Sequence, residues 1–316
     1  MNRKIFIITV FIVCFLVLNG LGVAAETYPN KAIQFIVPWS PGGGSDTLMR
    51  ITAKYLEKYL DSPVPVINKP GVSGTIGLQE FSTKPSNGYY IAQIHEGLLS
   101  AYHTDITDLN YDSFLPVVAL TDSPQYLAVK ADAPYDTFEE FIDYAQENPG
   151  EIKFAVTIKG IAHIWGAILE NYADIQFKYV SYEGTGERVQ ALAGGFIDAS
   201  IIDYPSGIQF VEDGRFKFLA SATEERLEVT PEIPTIKELG YDIIWSVKRG
   251  IVLPKGTSED IREILENAFS KVAADPEYIT EIEKVNSSVN FMGSESYQAY
   301  LDKLDKDIAK AAEKIK

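Results

Sequence analysis

Near the start of the chain stands the run Ile36-Val37-Pro38-Trp39-Ser40-Pro41-Gly42-Gly43-Gly44-Ser45-Asp46. An apolar strand passes here into a glycine-rich turn, and an amphipathic helix with Ser45 or Asp46 as its predicted N-cap follows at once. Three consecutive glycines let the backbone approach a ligand closely, and the helix start adds a partial positive charge. The run therefore predicts an anion site that needs no lysine. The alternative is a tight turn that only packs a helix against a sheet.

The same run does not match the glycine loops of nucleotide-binding proteins. A phosphate-binding loop carries a lysine and a hydroxyl residue after its last glycine, whereas Ser45-Asp46 follows here. Three adjacent glycines also lack the spacing of the dinucleotide fingerprint. We therefore predict neither kind of nucleotide site at this turn.

Beyond this turn, short apolar runs alternate with amphipathic stretches along the whole chain. The predicted strands are Ile33–Val37, Val64–Ile67, Tyr90–Ile94, Pro116–Leu120, Tyr126–Val129, Lys153–Val156, Phe177–Val180, Ala199–Ile202, Phe216–Ala220 and Gly250–Leu253. Helical spacing is clearest in Ser258–Ala274 and from Ser294 onward. The alternation predicts an α/β fold. Because no long linker divides the chain, we expect two interleaved lobes with crossings near Thr121–Gln125 and Ala222–Pro234.

Polar, glycine-rich turns follow several of the predicted strands. Ser73 lies in a second glycine loop. Thr157 ends a strand in the middle of the chain, and Gly160 lies in the turn after it. Gly184 follows a later strand, and Asp203 stands at the end of another. In open α/β sheets, ligands collect at the carboxyl ends of the strands. The recurrence of such ends predicts a ligand cleft rather than isolated loops.

The charge of the chain excludes two classes of partner. The full chain carries a net charge of −16, and loss of Arg3 and Lys4 with a leader peptide would take it to −18. No basic stripe survives this balance, so we expect neither nucleic acid nor an anionic membrane surface as a partner. Local geometry must therefore overcome the net charge if the ligand is an anion.

The first 25 residues have the pattern of a secretory signal peptide. Two basic residues precede an apolar run from Ile5 to Leu18, and Val23-Ala24-Ala25 is a small-residue cleavage site. The pattern predicts export with cleavage after Ala25, and an uncleaved anchor is the alternative. The only cysteine, Cys14, lies in this leader, so the mature chain has no thiol for disulfides, metal sites or nucleophilic catalysis.

Enzyme functions find little support in the residues that could carry them. No pair among His95, His103 and His163 has the helical spacing of metal ligands, and no serine has the glycines of a nucleophile elbow. A hydrolase would need Ser40 or Ser73 to meet His163, and no base, orienting acid and oxyanion site can be assigned together. We predict a binding protein without metal or cofactor, not an enzyme.

The order of these segments resembles the solute receptors of tripartite tricarboxylate transporters, the Bug-type extracytoplasmic binding proteins. The matching motifs, in chain order, are Tyr28-Pro29-Asn30-Lys31, Ile36-Val37-Pro38, Pro41-Gly42-Gly43 with Asp46 and Arg50, Asn68-Lys69-Pro70-Gly71 with Gly74 and Gly77, Asn87-Gly88-Tyr89, Gly160 with His163, Tyr182-Glu183-Gly184, Leu192-Ala193-Gly194-Gly195 with Asp198, Pro231-Glu232-Ile233-Pro234-Thr235 with Glu238 and Gly240, and Gly250 with Pro254. The resemblance covers nearly the whole mature chain.

The resemblance implies a type II periplasmic-binding-protein architecture, in which two α/β lobes close on a ligand like a Venus flytrap. Residues 26–122 and 224–316 would form lobe I, and residues 123–223 would form lobe II. The ligand carboxylate would be held by glycine loops, hydroxyl groups and ordered water. The implied ligand-binding residues are Trp39, Ser40, Gly42, Gly43 and Ser73 on lobe I, and Thr157, Gly160, His163, Tyr182, Gly184 and Asp203 on lobe II.

Two departures from the family pattern bear on the ligand. Lys248-Arg249 stands where many members carry an aromatic pair, so Arg249 could face a second acidic group of the ligand. A surface or interlobe salt bridge is the alternative for Arg249. His95-Glu96 stands where relatives often have small residues, and we expect it to change which ligands fit.

The function that the resemblance implies is a periplasmic receptor, a monomer, that delivers a small mono-, di- or tricarboxylate to the permease subunits of a tripartite transporter. Closure would give the membrane partner two distinguishable states of the receptor. A co-receptor for a membrane signalling protein would use the same binding, so it remains an alternative. The secreted hydrolase is a further alternative.

Overall fold

The computed structural model describes residues 28–313. The predicted signal peptide over residues 1–25, with Cys14, lies outside this range. In chain order the strands are β1 (Gln34–Val37), β2 (Val66–Asn68), β3 (Tyr90–Ile94), β4 (Phe114–Lys130), β5 (Lys153–Val156), β6 (Lys178–Ser181), β7 (Ala199–Asp203), β8 (Phe216–Ser221), β9 (Ser246–Pro254) and β10 (Ser288–Met292). The helices are α1 (Gly44–Leu60), α2 (Thr75–Ser82), α3 (Glu96–His103), α4 (Phe138–Glu147), α5 (Ile161–Ala173), α6 (Thr185–Ala193), α7 (Tyr204–Glu212), α8 (Glu259–Ala273), α9 (Pro276–Lys284) and α10 (Ser294–Ala312).

The strands form one sheet in the order β2-β1-β3-β9-β4-β7-β5-β6, with β8 and β10 also paired to β4. Strands β1, β2 and β3 are mutually parallel, as are β5, β6 and β7, whereas β4 and β9 run antiparallel to their neighbours. The first part of β4 pairs with β9 and β10, and its last part, from Gln125, pairs with β7 and β8. We call the half around β1, β3 and β9 lobe I and the half around β5, β6 and β7 lobe II.

Each lobe has an apolar core of its own. In lobe I, Phe35 and Ile91 of the sheet pack with Leu48 of α1 and Phe269 of α8. In lobe II the corresponding core residues are Phe141, Phe154, Trp165 and Ile201. Helix α1 joins its core because its buried residues repeat at helical spacing, including Leu48, Leu56 and Leu60. Two separate cores joined by β4 and β9 are what a two-lobe protein requires.

The predicted α/β class is confirmed, and β3 and β5 have the predicted bounds. The predicted strands Pro116–Leu120 and Tyr126–Val129 are parts of the single long strand β4, which runs straight through Thr121–Gln125. Strand β10 was not predicted from the sequence. Ile236 and Ile243 lie between β8 and β9, within the range 224–316 that was predicted for lobe I, and they pack in the lobe II core. The predicted residue boundaries of the two lobes stay a prediction.

The predicted N-cap of the first long helix is wrong. Gly43 is the N-cap of α1, and the helix begins at Gly44. Asp46 is already inside the first turn, where its carboxylate accepts a hydrogen bond from the Gly42 N–H at 3.0 Å. Within residues 28–313, no helix combines the length and the apolar character that a membrane crossing requires.

Candidate ligand site between the lobes

A cavity of about 60 Å³ lies between the two lobes at the carboxyl ends of the strands. One water-sized molecule needs roughly 10–15 Å³ of such space, so the cavity has room for several ligand atoms. Its wall includes Trp39, Ser40, Gly43, Ser73 and Arg249 from lobe I. From lobe II it includes Thr157, Gly160, Gly184 and Asp203. The structure therefore brings together most of the residues that the sequence indicated, although their role as ligand contacts stays a prediction.

Three of the indicated residues lie outside this wall. Gly42 has a positive φ of 77° and gives its N–H to Asp46. His163 accepts the N–H of Lys159 through Nδ1 at 3.0 Å, and burial, with a smaller contribution from Lys159, lowers its pKa. Tyr182 packs against an apolar cluster of lobe II.

Helix N-termini converge on the cavity. In the described part of the chain, the N-cap residues of α1, α3, α5, α6 and α7 all line its wall, and they are Gly43, His95, Gly160, Gly184 and Asp203. Except at His95, these N-caps have no side-chain cap hydrogen bond. The first-turn amides of a helix lack intrahelical acceptors and carry its partial positive charge. Several such ends around one small cavity create a positive potential inside a negatively charged protein.

Arg188 is a cavity residue that the sequence analysis missed. It is only 6% exposed, and Nη1 and Nη2 donate to the hydroxyls of Thr157 and Thr185, each at 3.0 Å. Nε is buried without a hydrogen-bond partner, and no carboxylate of the described residues lies within ion-pair distance of the guanidinium. Burial lowers the pKa of Arg188 to about 10, against the opposing effect of Asp203 and Glu187. It is therefore a cation at neutral pH with capacity left for an anion.

Arg249, in contrast, is fully paired. Its Nη2 lies 2.7 Å from Asp203 Oδ2, and the other nitrogens donate to the hydroxyls of Ser45 at 3.1 Å and Ser123 at 2.7 Å. Arg249 belongs to β9 of lobe I and Asp203 to the end of β7 of lobe II. Of the two alternatives for Arg249, the structure has the interlobe salt bridge.

Further hydrogen bonds join the lobes around the cavity. Ser40 donates to Glu187 Oε1 at 3.2 Å, and Ser73 donates to the carbonyl of Ile158 at 3.3 Å. Gly44 is essential to this approach, because a Cβ atom there would lie 1.8 Å from Asp203 Oδ2. The structure is therefore a closed arrangement of the two lobes.

His95 lies on the cavity wall, stacked on the indole of Trp39 with ring centroids 3.8 Å apart. Nδ1 accepts the N–H of Gly97 at 2.9 Å, so the proton of the neutral ring is on Nε2. Burial, followed by the positive charges of Arg249 and Arg188, lowers the pKa of His95 well below its usual range. The ring is therefore neutral and presents an N–H donor.

The residues of the hydrolase alternative do not form a catalytic group. Ser40 donates to Glu187, Ser73 donates to a carbonyl, and His163 is bound to the Lys159 amide. None of the hydrogen bonds among the described residues joins either serine to His163.

The sequence and the fold are similar to those of known proteins. Residues 48–315 match the family described as tripartite tricarboxylate transporter family receptor. A Cupriavidus necator protein named UPF0065 protein in gbd 5'region is 31% identical over 87% of this chain and 85% of its own. Protein BugT of Bordetella pertussis is 30% identical over 77% of this chain and 76% of its own. The solved periplasmic binding protein BugD superposes with a TM-score of 0.85 at 25% identity, covering 91% of this chain and 98% of its own. These likenesses confirm the resemblance inferred from the sequence motifs and the two-lobe periplasmic-binding-protein fold.

Proposed function

The chain belongs to the tripartite tricarboxylate transporter receptor family, and we propose that it is a periplasmic receptor that closes its two lobes on a small organic carboxylate and delivers it to the permease subunits of such a transporter. A cleaved signal peptide would export it. It would act as a monomer without cofactor, and it would bind its solute without chemical change.

The observation that carries the carboxylate is Arg188. A guanidinium that is buried, bonded only to hydroxyl groups and left with an unpartnered Nε is a charge without a paired carboxylate in the closed cavity. An unpaired buried charge is costly, and an anion that enters between the lobes would remove that cost. The neighbouring helix N-termini would add amide donors for the same carboxylate.

Local interactions are strong enough to outweigh the net charge of −16. A charge-assisted hydrogen bond contributes about 1.5–3 kcal/mol, and each favourable helix start about 0.3–1 kcal/mol. Repulsion from distant surface carboxylates is screened beyond about 10 Å in ordinary salt. Two or three contacts in the cavity therefore favour an anion despite the acidic surface.

Closure would convert binding into a signal for the membrane partner. Arg249 and Asp203 meet only when the lobes approach, as do Ser40 and Glu187. A solute that bridges the lobes would raise the population of the closed form by its differential affinity for that form. A permease that contacts both lobes could then distinguish loaded from empty receptor.

Titration calorimetry with a panel of carboxylates and their neutral amides tests the proposal. We expect acids to bind and the matched amides not to bind, and we expect Arg188→Met to weaken the tightest acid about 10- to 150-fold, the range of a charge-assisted bond. Arg215→Met is the matched control, since Arg215 is exposed and is not on the cavity wall, and its guanidinium donates to the carbonyl of Ala193 and lies over the Phe210 ring. Equal binding of acids and amides, or unchanged affinity in Arg188→Met, would contradict a carboxylate site here.

A further inference from the structure

The carboxylates at the cavity already have hydrogen-bond donors from the protein. Both carboxylate oxygens of Asp203 are engaged, Oδ2 by Arg249 and Oδ1 by the hydroxyl of Ser206. Glu187, the partner of the wall residue Ser40, accepts from the Ser40 hydroxyl and from the Glu183 N–H. A ligand with N–H donors would therefore find the buried carboxylate of the wall occupied.

Several hydrogen-bond donors on the wall have no acceptor within the described part of the chain. The side-chain acceptors of the wall to which no described residue donates are Gln125 Oε1 and the hydroxyl oxygens of Ser40 and Ser73, and all three are uncharged. The hydroxyls of Thr157 and Thr185 accept from Arg188, and the hydroxyl of Ser45 accepts from Arg249. Since each oxygen uses a lone pair in this way, its own hydrogen remains available, and it finds no acceptor among the described residues. Nε of Arg188 is a further donor without a partner.

His95 adds a donor whose direction is fixed by its surroundings. The Gly97 N–H holds Nδ1 as an acceptor, and the Trp39 indole holds the ring plane. Gly97 leaves just enough space for the ring, because a Cβ atom there would lie 2.7 Å from His95 Cε1. Nε2–H makes no hydrogen bond within the described part of the chain, and the ring borders the cavity. The neutral imidazole is thus built as a donor toward the ligand.

Building on the proposed function, we propose that the site selects carboxylic acids that carry a hydroxyl or carbonyl oxygen over amino acids of the same skeleton, and that His95 Nε2–H is the specificity determinant that binds this oxygen. An ammonium group brings three donors and a positive charge, whereas the open acceptors of the wall are uncharged and two guanidinium groups, those of Arg188 and Arg249, lie on the same wall. A buried ammonium in this cavity would therefore lack a free carboxylate partner and would be repelled by the guanidinium groups. An oxygen substituent would accept from His95 and meet no such penalty.

Matched ligand pairs that differ only in this group test the inference by calorimetry on the purified full-length receptor. The probes are malate and aspartate, 2-hydroxyglutarate and glutamate, and lactate and alanine. We expect the hydroxy acid of the pair that binds best to be favoured at least tenfold, which corresponds to about 1.4 kcal/mol. His95→Phe, which keeps the stacking on Trp39 but lacks Nε2–H, should weaken the hydroxy acid at least tenfold and narrow the preference. His103→Phe is the control, because His103 pairs with Asp305 away from the cavity.

Each outcome of this experiment is decisive. If amino acids bind to the unaltered protein as tightly as the hydroxy acids, the inferred selectivity is wrong. The proposed function as a carboxylate receptor would not be affected by that result. An unchanged preference in His95→Phe would overturn the role of His95. If no member of any pair and no other carboxylate binds, the proposed function itself fails, and the inference fails with it.

Discussion

Arg249 Nη2 and Asp203 Oδ2 lie 2.7 Å apart and join the two lobes through side chains that are each only 3% exposed. Arg249 comes from the strand that enters lobe I late in the chain, and Asp203 is the N-cap of a lobe II helix. Removal of one partner of a buried ion pair leaves the other charge unpaired. The stability of the closed state should therefore depend on both side chains.

Removal of the arginine should weaken solute binding. Arg249→Met leaves the Asp203 carboxylate unpaired in the closed form, whereas in an open form water would reach it, so we expect a loss of about 3–5 kcal/mol in binding free energy. The double variant Arg249→Met/Asp203→Asn removes the isolated charge and should recover part of this loss. Calorimetric titration of both variants measures the coupling, and additive effects would show that the pair does not hold the closed state.

A methyl group at Gly44 should block closure. A Cβ atom there would lie 1.8 Å from Asp203 Oδ2 and 2.7 Å from Arg249 Nη2, while the helical backbone of lobe I accepts alanine readily. We expect Gly44→Ala to keep the melting temperature of the empty protein and to lose solute affinity at least 100-fold, about 2.7 kcal/mol. Gly150→Ala is the control for solute affinity, since Gly150 is not on the cavity wall and a Cβ atom there would meet no atom within 4 Å. Equal affinities in the two variants would contradict the closed geometry.

Glu96 should make stability depend on pH. Burial raises the pKa of this carboxyl from 4.5 to about 7. Oε1 accepts from the Lys248 N–H and the Tyr300 hydroxyl, while Oε2 is buried without a partner. The other charged or titratable groups that act on it are Asp122, Arg249 and Tyr297.

Because the folded state holds this proton more tightly, the stabilisation is complete below pH 4.5 and is lost as the pH rises through 7. We expect the Glu96 contribution to the free energy of unfolding to be about 2 kcal/mol smaller at pH 8 than at pH 5.5. Urea denaturation at both pH values measures it, with Glu96→Gln as the comparison. The free energy of unfolding of the variant should change less between pH 5.5 and pH 8. An equal change in both proteins would contradict a raised pKa of Glu96.

Replacement of His163 should affect stability more than binding. Its Nδ1 accepts the Lys159 N–H, and its ring packs edge-on against Tyr179 outside the cavity wall. We expect His163→Ala to lower the free energy of unfolding by about 1 kcal/mol, the net value of one hydrogen bond. Solute affinity should stay within about 0.5 kcal/mol, as for a substitution away from the ligand. A loss of affinity without a loss of stability would instead place His163 at the ligand.

Much of the fold could be predicted because each lobe has strands that are largely apolar runs followed by polar or glycine-containing turns. Tyr90–Ile94 and Lys153–Val156 are examples. The long strand β4 was predicted as two strands because Thr121–Gln125 is polar. In the structure this segment continues the strand, with partners on both sides. Strand β10 was missed because Ser288–Met292 is a short segment with only three apolar residues, and none of its five residues is buried.

The cavity could be predicted only in part. The glycine turns could be predicted because glycines directly after a strand indicate a tight turn. Three of these glycines, Gly43, Gly160 and Gly184, lie on the cavity wall. Arg188 was missed because an arginine on a short amphipathic helix ordinarily faces solvent, whereas this one is buried and bonded to two threonine hydroxyls. One feature of the sequence could have indicated Arg188. It comes four residues after Gly184, near the start of a helix that begins at the cleft.

A crystal structure of the protein with its tightest-binding acid tests the site most directly. The expected result is a carboxylate between the lobes, with an oxygen about 2.7–3.1 Å from Arg188 Nε and from a first-turn amide of α1. The contradicting result is an acid bound elsewhere, with Arg188 still bonded only to Thr157 and Thr185.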